Sequence, residues 1–177
     1  MKSEKVILIS FGYFGEMLLE NMVEDVSHEF FLPVLIKEGH LDLSDFYNPA
    51  RNQYDANKLL KEIDTNFSCD KSKTLGIFNV DLFIPILTYI FGQAFLNGRT
   101  GIASMYRLSN ERYGMIKDDD LLVSRFKKEI IHELGHCFGL IHCQNPTCVM
   151  RSSTYVEDVD QKNRHLCSRC RAQLLNT

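Results

Sequence analysis

The sequence predicts a compact α/β (α+β) fold built on a mixed, twisted sheet. Its opening reads as β-α-β, with strands over residues 6–10 and 31–36 on either side of an amphipathic helix over residues 15–27. Such an opening predicts a parallel sheet. A long helical pattern then runs from residue 118 to about residue 140. The apolar content of 45% and charged content of 24% are ordinary for a globular domain, and 177 residues favour a single domain.

The middle of the chain predicts one more helix and the rest of the sheet. Residues 41–56 are polar and rich in turn formers, with Asn48-Pro49 as a breaker, so they are predicted to form a surface loop. The apolar patterns that follow predict a helix over residues 57–67 and strands over residues 74–83, 87–95 and 101–108. A polar, helix-permissive stretch near the C-terminus predicts a final helix.

The long helix is the most clearly marked element of the chain. Asp118, Asp119 and Asp120 supply an N-cap and an acidic first turn. An apolar face is expected to pack on the sheet; it consists of Leu121, Leu122, Phe126, Ile130 and Leu134. Three charged residues are expected to face solvent, namely Arg125, Lys128 and Glu129. Cys137 is expected to be a small buried core residue.

Charge and hydropathy exclude several classes of protein. The net charge of −3 gives no support to a nucleic-acid or anionic-membrane surface. No apolar run reaches transmembrane length, and the N-terminal region lacks a signal-peptide core and cleavage site. We therefore expect a cytoplasmic protein that binds neither nucleic acid nor membranes and is made in its final form.

A metal-binding pattern occupies the end of the long helix and the turn after it. His132 and His136 are four residues apart, so their imidazoles share one face of a helix and can bind one ion. Gly139 can adopt the positive φ that ends the helix, and His142 then approaches as a third ligand. Three neutral histidines leave the fourth tetrahedral position of zinc open, as in catalytic sites. The alternative is a helix that carries two histidines by coincidence.

Two further residues complete this pattern. The carboxylate of Glu133 lies one step round the helix, where it can act as general base toward a water at the metal. Met150 follows eight residues after His142 and is predicted to form the apolar floor of a Met-turn beneath the imidazoles. An ordinary core methionine is the alternative for Met150.

Four cysteines overlap the histidine pattern. Cys143 directly follows His142, and the series Cys143-x4-Cys148-x18-Cys167-x2-Cys170 has the spacing of a four-cysteine structural zinc site. Two disulfides are the alternative, but no feature of the sequence indicates an oxidising compartment.

These motifs together resemble the archaemetzincin family. The resemblance rests on H-E-x-x-H-x-x-G-x-x-H, on Met150, and on the direct join between His142 and Cys143. It extends to a Tyr-x-Pro-x-Arg-x-Gln-Tyr-Asp stretch, matched at Tyr47, Pro49, Arg51, Gln53, Tyr54 and Asp55. The role of that stretch does not follow from the sequence.

The resemblance implies a metzincin-like domain spanning residues 1–177. Residues 1–139 would form an N-terminal subdomain, and residues 140–177 would carry the third histidine, the Met-turn and the four-cysteine zinc. It also implies that the strand before the zinc helix is an antiparallel sheet edge that binds extended substrate. The residues assigned to this edge are Ile102, Ala103, Ser104, Met105 and Tyr106. An edge strand without a ligand is the alternative.

The function predicted from these patterns is zinc-dependent hydrolysis of peptide bonds. The protein is expected to hold two Zn²⁺ ions, one catalytic and one structural, and to act on peptides or proteins as a monomer. One alternative is a zinc-binding interaction or regulatory protein with an idle or conditional site, although the intact Glu133 argues against it. A nucleic-acid-binding zinc protein is disfavoured by the acidic balance. Aminopeptidase and endopeptidase activity both remain open, and spacing selects neither Tyr113 nor Tyr155 as oxyanion stabiliser.

Overall fold

The computed structural model describes residues 3–176. Five α-helices occur in this range: α1 (Glu16–Phe30), α2 (Ala56–Asn66), α3 (Asp119–Cys137), α4 (Val156–Gln161) and α5 (Ser168–Leu175). The strands are β1 (Lys5–Phe11), β2 (Val34–Gly39), β3 (Tyr47–Asn48), β4 (Gln53–Asp55), β5 (Ser72–Phe78), β6 (Leu82–Phe83), β7 (Gly92–Ala94) and β8 (Thr100–Ser104). The predicted mixed α/β class is confirmed.

The main sheet has five strands in the order β2-β1-β5-β8-β7. The first four are parallel, and β7 pairs antiparallel with β8 at one edge. A smaller sheet of order β3-β4-β6 lies beside it. Alternate residues of a strand point to opposite faces of the sheet. In β1 the residues on both faces are apolar, and helices cover both faces.

Two hydrophobic cores sandwich the main sheet. On one face, Val6 and Leu8 of β1 pack in a core with residues of α1 and α3 such as Met22 and Ile130. On the other face, Ile7 of β1 joins a second core, to which α2 contributes Leu59, Leu60 and Ile63. Within residues 3–176, no helix is long and apolar enough to cross a membrane.

The predicted location of the antiparallel edge is wrong. Ile102 lies in β8, where it pairs with Gly76 of β5 on one side and Gln93 of β7 on the other. Residues Ile102, Ala103 and Ser104 are therefore interior to the sheet, while Met105 and Tyr106 follow the end of the strand. The physical reason is the turn at Asn97-Gly98, which folds β7 back along β8. The antiparallel edge strand is β7.

Several predicted boundaries also differ from the structure. Phe31 is the left-handed C-cap of α1, so β2 begins at Val34 and not at residue 31. The predicted strand over residues 87–95 is mostly irregular, and only Gly92–Ala94 is strand. The predicted loop over residues 41–56 contains the β3–β4 hairpin. Each short strand forms where a partner strand is available, which local pattern does not reveal.

Helix α3 begins and ends as its sequence predicts. The side chain of Asp118 accepts a hydrogen bond of 2.9 Å from the backbone N–H of Leu121. Gly139 follows the helix with a φ of +87°, a conformation that favours glycine. The backbone N–H of Gly139 donates to the carbonyl of His136 at 2.9 Å. The turn after α3 thus redirects the chain toward His142.

The expectation that Arg125, Lys128 and Glu129 face solvent is wrong. Their exposed fractions are only 3%, 8% and 3%. The C-terminal part of the chain covers this side of α3 and supplies polar partners. Arg125 forms a bidentate pair with Asp160, with both contacts at 2.7 Å, and Lys128 donates to the carbonyl of Val159 at 2.9 Å. Residues distant in sequence therefore satisfy these buried charges.

Candidate active site

Helix α3 and the turn after it bring three imidazoles together. His132 and His136 are one helical turn apart, and their rings lie 4.7 Å apart between centroids. His142 approaches from the following segment, with ring centroids 5.3 Å from His132 and 4.9 Å from His136. One ligand nitrogen from each residue lies within 4.8 Å of the others. The structure therefore assembles the three predicted ligands.

Backbone carbonyls orient two of these rings. Nδ1 of His132 donates to the carbonyl of Val149 at 2.8 Å, and Nδ1 of His136 donates to the carbonyl of Leu140 at 2.7 Å. These bonds leave Nε2 of each ring without its proton and free to bind a metal. The two Nε2 atoms are 3.1 Å apart. Tetrahedral zinc with Zn–N bonds of about 2.0–2.1 Å would separate its nitrogens by about 3.3 Å, so the donor set fits zinc.

All three imidazoles have pKa values below their ordinary value, which favours the neutral form. Burial lowers the pKa of His132 well below its ordinary value, because a charged ring would lose its hydration. Partial loss of hydration also lowers the pKa of His136, which is half-buried, and of His142, which is the most exposed of the three. Neutral imidazole is the form that binds a metal, so little free energy is needed to deprotonate the site.

Glu133 is buried on the same helix and lies against β7. Burial raises the pKa of its carboxyl well above the ordinary value, and the nearby charge of Glu129 adds to the increase. Gly92 of β7 makes the space for this side chain. A Cβ atom at Gly92 would lie 2.7 Å from Cγ and 2.8 Å from Oε1 of Glu133. The carboxylate is therefore held between the zinc-binding helix and the edge strand.

Met150 lies directly beneath the imidazole-bearing turn of α3. Its side chain is fully buried and packs against Gly135, where an added Cβ would clash with Sδ and lie 2.9 Å from Cε. Two hydrogen bonds connect Val149 and Met150 to the site. The N–H of Cys143 donates to the carbonyl of Met150 at 2.9 Å, and the carbonyl of Val149 accepts from His132. Met150 therefore packs under the turn of α3 that carries His132 and His136.

The four cysteines form a second cluster beside the histidines. Their sulfurs lie within 4.8 Å of one another, with Cys143–Cys167 and Cys148–Cys170 separations of 3.8 Å. A disulfide requires about 2.05 Å, and all six cysteines are free, so the disulfide alternative does not hold. Tetrahedral zinc with bonds of about 2.3 Å places its sulfurs about 3.8 Å apart. The geometry fits a structural zinc ion.

A cavity of about 630 Å³ opens in front of Glu133 and the three histidines. One wall consists of Ile84 and residues 87–91, which lead into β7, and a second consists of residues 152–155. Apolar side chains line much of it, and Leu87, Leu96, Ile141 and Tyr155 are also exposed at the surface. Such a cleft can bind an extended chain with apolar side chains.

The two tyrosines considered for oxyanion stabilisation lie in different places. Tyr155 lines the cavity, whereas the hydroxyl of Tyr113 donates to the carbonyl of Arg107 at 2.7 Å. Burial raises the pKa of Tyr113, which keeps that phenol protonated.

Sequence reasoning missed a buried ion pair behind the site. Nζ of Lys162 lies 3.1 Å from Oε1 of Glu129 and donates to the carbonyl of Arg151 at 3.2 Å. This pair connects α3 to the segment that follows Met150. The residues are 33 positions apart (162 − 129), so no local spacing could reveal the contact. Gly92 was missed for the same reason.

Comparison with known proteins places the chain in one family. The model of peptidase family M54 matches residues 23–176. The chain is 36% identical over 176 residues to an archaemetzincin of Thermococcus kodakarensis, covering 96% of this chain and 95% of that protein. It is 42% identical over 142 residues to an archaemetzincin of Pyrococcus horikoshii, covering 77% of this chain and 74% of that protein.

Solved structures agree with this assignment. A zinc-dependent peptidase from Methanocorpusculum labreanum superposes with a TM-score of 0.85 at 32% identity, covering 96% of this chain and 99% of that one. The archaemetzincin of Methanopyrus kandleri gives the same TM-score and identity, covering 98% of this chain and 94% of that one. The matched length, the identity and the fold together show that this chain belongs to peptidase family M54, the archaemetzincin family of zinc metallopeptidases.

Proposed function

We propose that the chain hydrolyses peptide bonds with Glu133 as general base and with His132, His136 and His142 as the ligands of a catalytic zinc. The observation that carries this proposal is the convergence of three neutral imidazoles beside a buried carboxylate in one cavity. A zinc ion bound there would polarise the scissile carbonyl and lower the pKa of water to about 7.

The chain's own residues supply the proton transfers and the orientation. Glu133 accepts a proton from the attacking water and later delivers it to the leaving amine. Burial raises the pKa of its carboxyl, which makes the carboxylate a stronger base toward the attacking water. The carbonyls of Val149 and Leu140 hold two imidazoles in the metal-binding tautomer. Met150 and Gly135 pack the floor and keep water out from below.

Substrate is proposed to bind as an extended peptide along β7. That strand ends the main sheet and borders the cavity through Gly92, Gln93 and Ala94. A peptide added antiparallel to β7 would pass in front of Glu133, and its backbone would complete the hydrogen bonds of the sheet edge. This role replaces the one predicted for residues 102–106.

The second zinc is proposed to be structural, held by Cys143, Cys148, Cys167 and Cys170. Cysteines remain reduced most readily in the cytosol, so a four-cysteine metal site favours a cytoplasmic location. We further propose that residues 1–139 and 140–177 form one catalytic domain that acts as a monomer. The contacts of Asp160 and Lys162 with α3 support this single domain.

Metal analysis tests the two zinc sites. We expect two zinc ions per chain, because two complete donor sets are present. Elemental analysis of freshly purified protein measures the count, and thiol titration before and after chelation reports on the cysteines. A count of one ion or fewer would contradict the two-site proposal.

Digestion of a peptide library tests the activity. The zinc-loaded protein should cleave library peptides, with products identified by mass spectrometry, and the cleavage positions separate aminopeptidase from endopeptidase. Glu133→Ala should retain its zinc yet lose about 10²–10⁴-fold in rate, because Glu133 acts as base and not as ligand. A Glu133→Ala protein with wild-type turnover would remove Glu133 from the mechanism.

A further inference from the structure

The stretch Tyr47–Asp55 has no role in the chemistry above, yet two of its side chains contact residues that line the cavity. It forms the β3–β4 hairpin, in which Tyr47 pairs with Tyr54 and Asn48 pairs with Gln53. Strand β4 pairs with β6, which immediately precedes the wall segment, defined as residues 84–91. The hairpin therefore sits directly behind one wall of the active-site cavity.

Two side chains of the hairpin hold the wall segment by its backbone. Nη2 of Arg51 donates to the carbonyls of Leu87 at 2.7 Å and Thr88 at 3.3 Å. Nε2 of Gln53 donates to the same Thr88 carbonyl at 2.9 Å. Bonds from a guanidinium are charge-assisted and hence stronger than neutral ones. Both side chains thus anchor one point of an otherwise irregular segment.

The donors are themselves held in position. Nε of Arg51 donates to Oε1 of Gln53 at 3.1 Å, so the two side chains act as one unit. The guanidinium of Arg51 lies 4.3 Å above the centroid of the buried Phe83 ring. Gln53 is buried. This arrangement fixes where the Leu87 and Thr88 carbonyls can lie.

The rest of the wall segment is fastened by other contacts. The N–H of Ile90 donates to the carbonyl of Leu82 at 2.9 Å, and the guanidinium of Arg107 lies 4.8 Å from the Tyr89 ring centroid. Leu87 and Thr88 line the cavity and directly precede these two contacts, and the N–H of Leu87 donates to the carbonyl of Ile84 at 3.0 Å. Their position therefore depends on Arg51 and Gln53.

We infer that Arg51 and Gln53 are positioning residues for substrate: they hold Leu87 and Thr88 against the cavity and so set the affinity for a peptide's side chains. This inference rests on the proposed peptidase function. Arg51 and Gln53 contact neither the histidines nor Glu133 in this arrangement. They are expected to change peptide affinity while leaving the metal site intact.

Two hydroxamates separate these effects. Acetohydroxamate can bind only at the metal, whereas N-acetyl-leucyl-leucine hydroxamate also presents apolar side chains to the cavity walls. Calorimetric titration of zinc-loaded protein gives both affinities. In Arg51→Ala the peptidyl hydroxamate should bind about tenfold more weakly or worse, since one charge-assisted hydrogen bond corresponds to roughly that factor. Acetohydroxamate should bind as to wild type.

Two variants make the comparison specific. Gln53→Glu is nearly isosteric, keeps the oxygen that accepts from Arg51 and replaces the donor to Thr88 by a charged acceptor. It should weaken binding of the peptidyl hydroxamate alone, even if Arg51→Ala does not fold. Arg99→Ala removes an exposed arginine whose partner is Asp70 and should affect neither ligand. Wild-type affinity for the peptidyl hydroxamate in Arg51→Ala and Gln53→Glu, or equal weakening of both ligands, would overturn the inference.

Hydrogen exchange tests the same contacts without any ligand. Amides of residues 87–91 should exchange at least about tenfold faster in Arg51→Ala and Gln53→Glu than in wild type. The reason is that the missing hydrogen bonds no longer oppose local opening of the wall segment. Unchanged exchange there would overturn the inference. If wild type binds neither hydroxamate, the proposed function fails, and the exchange result decides the role of Arg51 and Gln53.

Discussion

At the scale of single residues, the space around Glu133 is set by a glycine on another element. Gly92 leaves room for the Glu133 carboxylate, and any Cβ there would also lie 2.7 Å from the Ile102 carbonyl oxygen. A general base must sit within hydrogen-bond reach of the water that it deprotonates. The position of the base therefore depends on a residue that has no side chain.

Gly92→Ala should reduce peptide hydrolysis while leaving zinc bound. The new methyl group would displace Glu133 or β7, so we expect a loss of at least about tenfold and at most the 10²–10⁴-fold that complete loss of a general base costs. The ratio kcat/KM and zinc content are measured together. Gly15→Ala is the matched control, because nothing lies within 4 Å of its Cβ position. Equal turnover in both variants would contradict this account.

At the scale of elements, the short helix α4 positions the second wall of the cavity. The carboxylate of Asp158 accepts hydrogen bonds of 2.9 Å from the backbone N–H groups of Tyr155 and Thr154. These bonds lower the pKa of Asp158 below its ordinary value of 3.8. They hold residues 154 and 155, which line the cavity, against the start of α4.

The lowered pKa of Asp158 predicts a pH-dependent contribution to stability. Because the folded state favours the carboxylate, the contribution is complete above pH 3.8 and disappears as pH falls through the folded-state pKa. At pH 7, Asp158→Asn should lower the free energy of unfolding by about 0.5–1 kcal/mol, and the difference should shrink at low pH. Denaturant unfolding at a series of pH values measures it. Glu157→Gln, an exposed neighbour, is the control; a pH-independent difference for Asp158→Asn would be inconsistent with this cause.

At the scale of the whole molecule, the two metal clusters are joined through the chain. Cys143 is bonded directly to His142, and its N–H donates to the Met150 carbonyl. Cys148 lies two residues before Met150, and the carbonyl of the intervening Val149 orients His132. A structural zinc on the cysteines would therefore fix the positions of His142 and Met150. Through the Val149 carbonyl it would also fix the orientation of His132. Structural zinc of this kind can contribute on the order of 10 kcal/mol to folding.

Cys167→Ser should weaken catalytic zinc binding although Cys167 is distant in sequence from α3. Loss of the cysteine-bound zinc would free His142 and the Val149 carbonyl, and changes in the groups that orient metal ligands cost about 10–100-fold in metal affinity. Competition with a chelator measures catalytic-site affinity under conditions where both proteins are folded. Cys69→Ser serves as control, since Cys69 lies outside both ligand clusters. Equal affinities in wild type and Cys167→Ser would show that the two sites are independent.

The sequence by itself determined the local parts of this protein. Helical spacing places His132 and His136 on one face, and Gly139 turns the chain toward His142, because these relations span only a few residues. The same applies to the Asp118 cap of α3 and to the two halves of the cysteine cluster. The motifs are specific enough for the predicted family to be confirmed by comparison.

Only the tertiary structure decided which residues distant in sequence pair with or bury one another. The return of β7 along β8 moved the sheet edge away from Ile102, and the C-terminal segment buried Arg125, Lys128 and Glu129. Arg51 meets Leu87 across 36 residues of sequence. A strand pairing or a buried charge depends on which partner is nearby after folding, and hydrophobic period carries no such information. The histidine and cysteine donor sets can therefore be predicted from the sequence, whereas the walls of the cavity are formed by the packing of the whole chain.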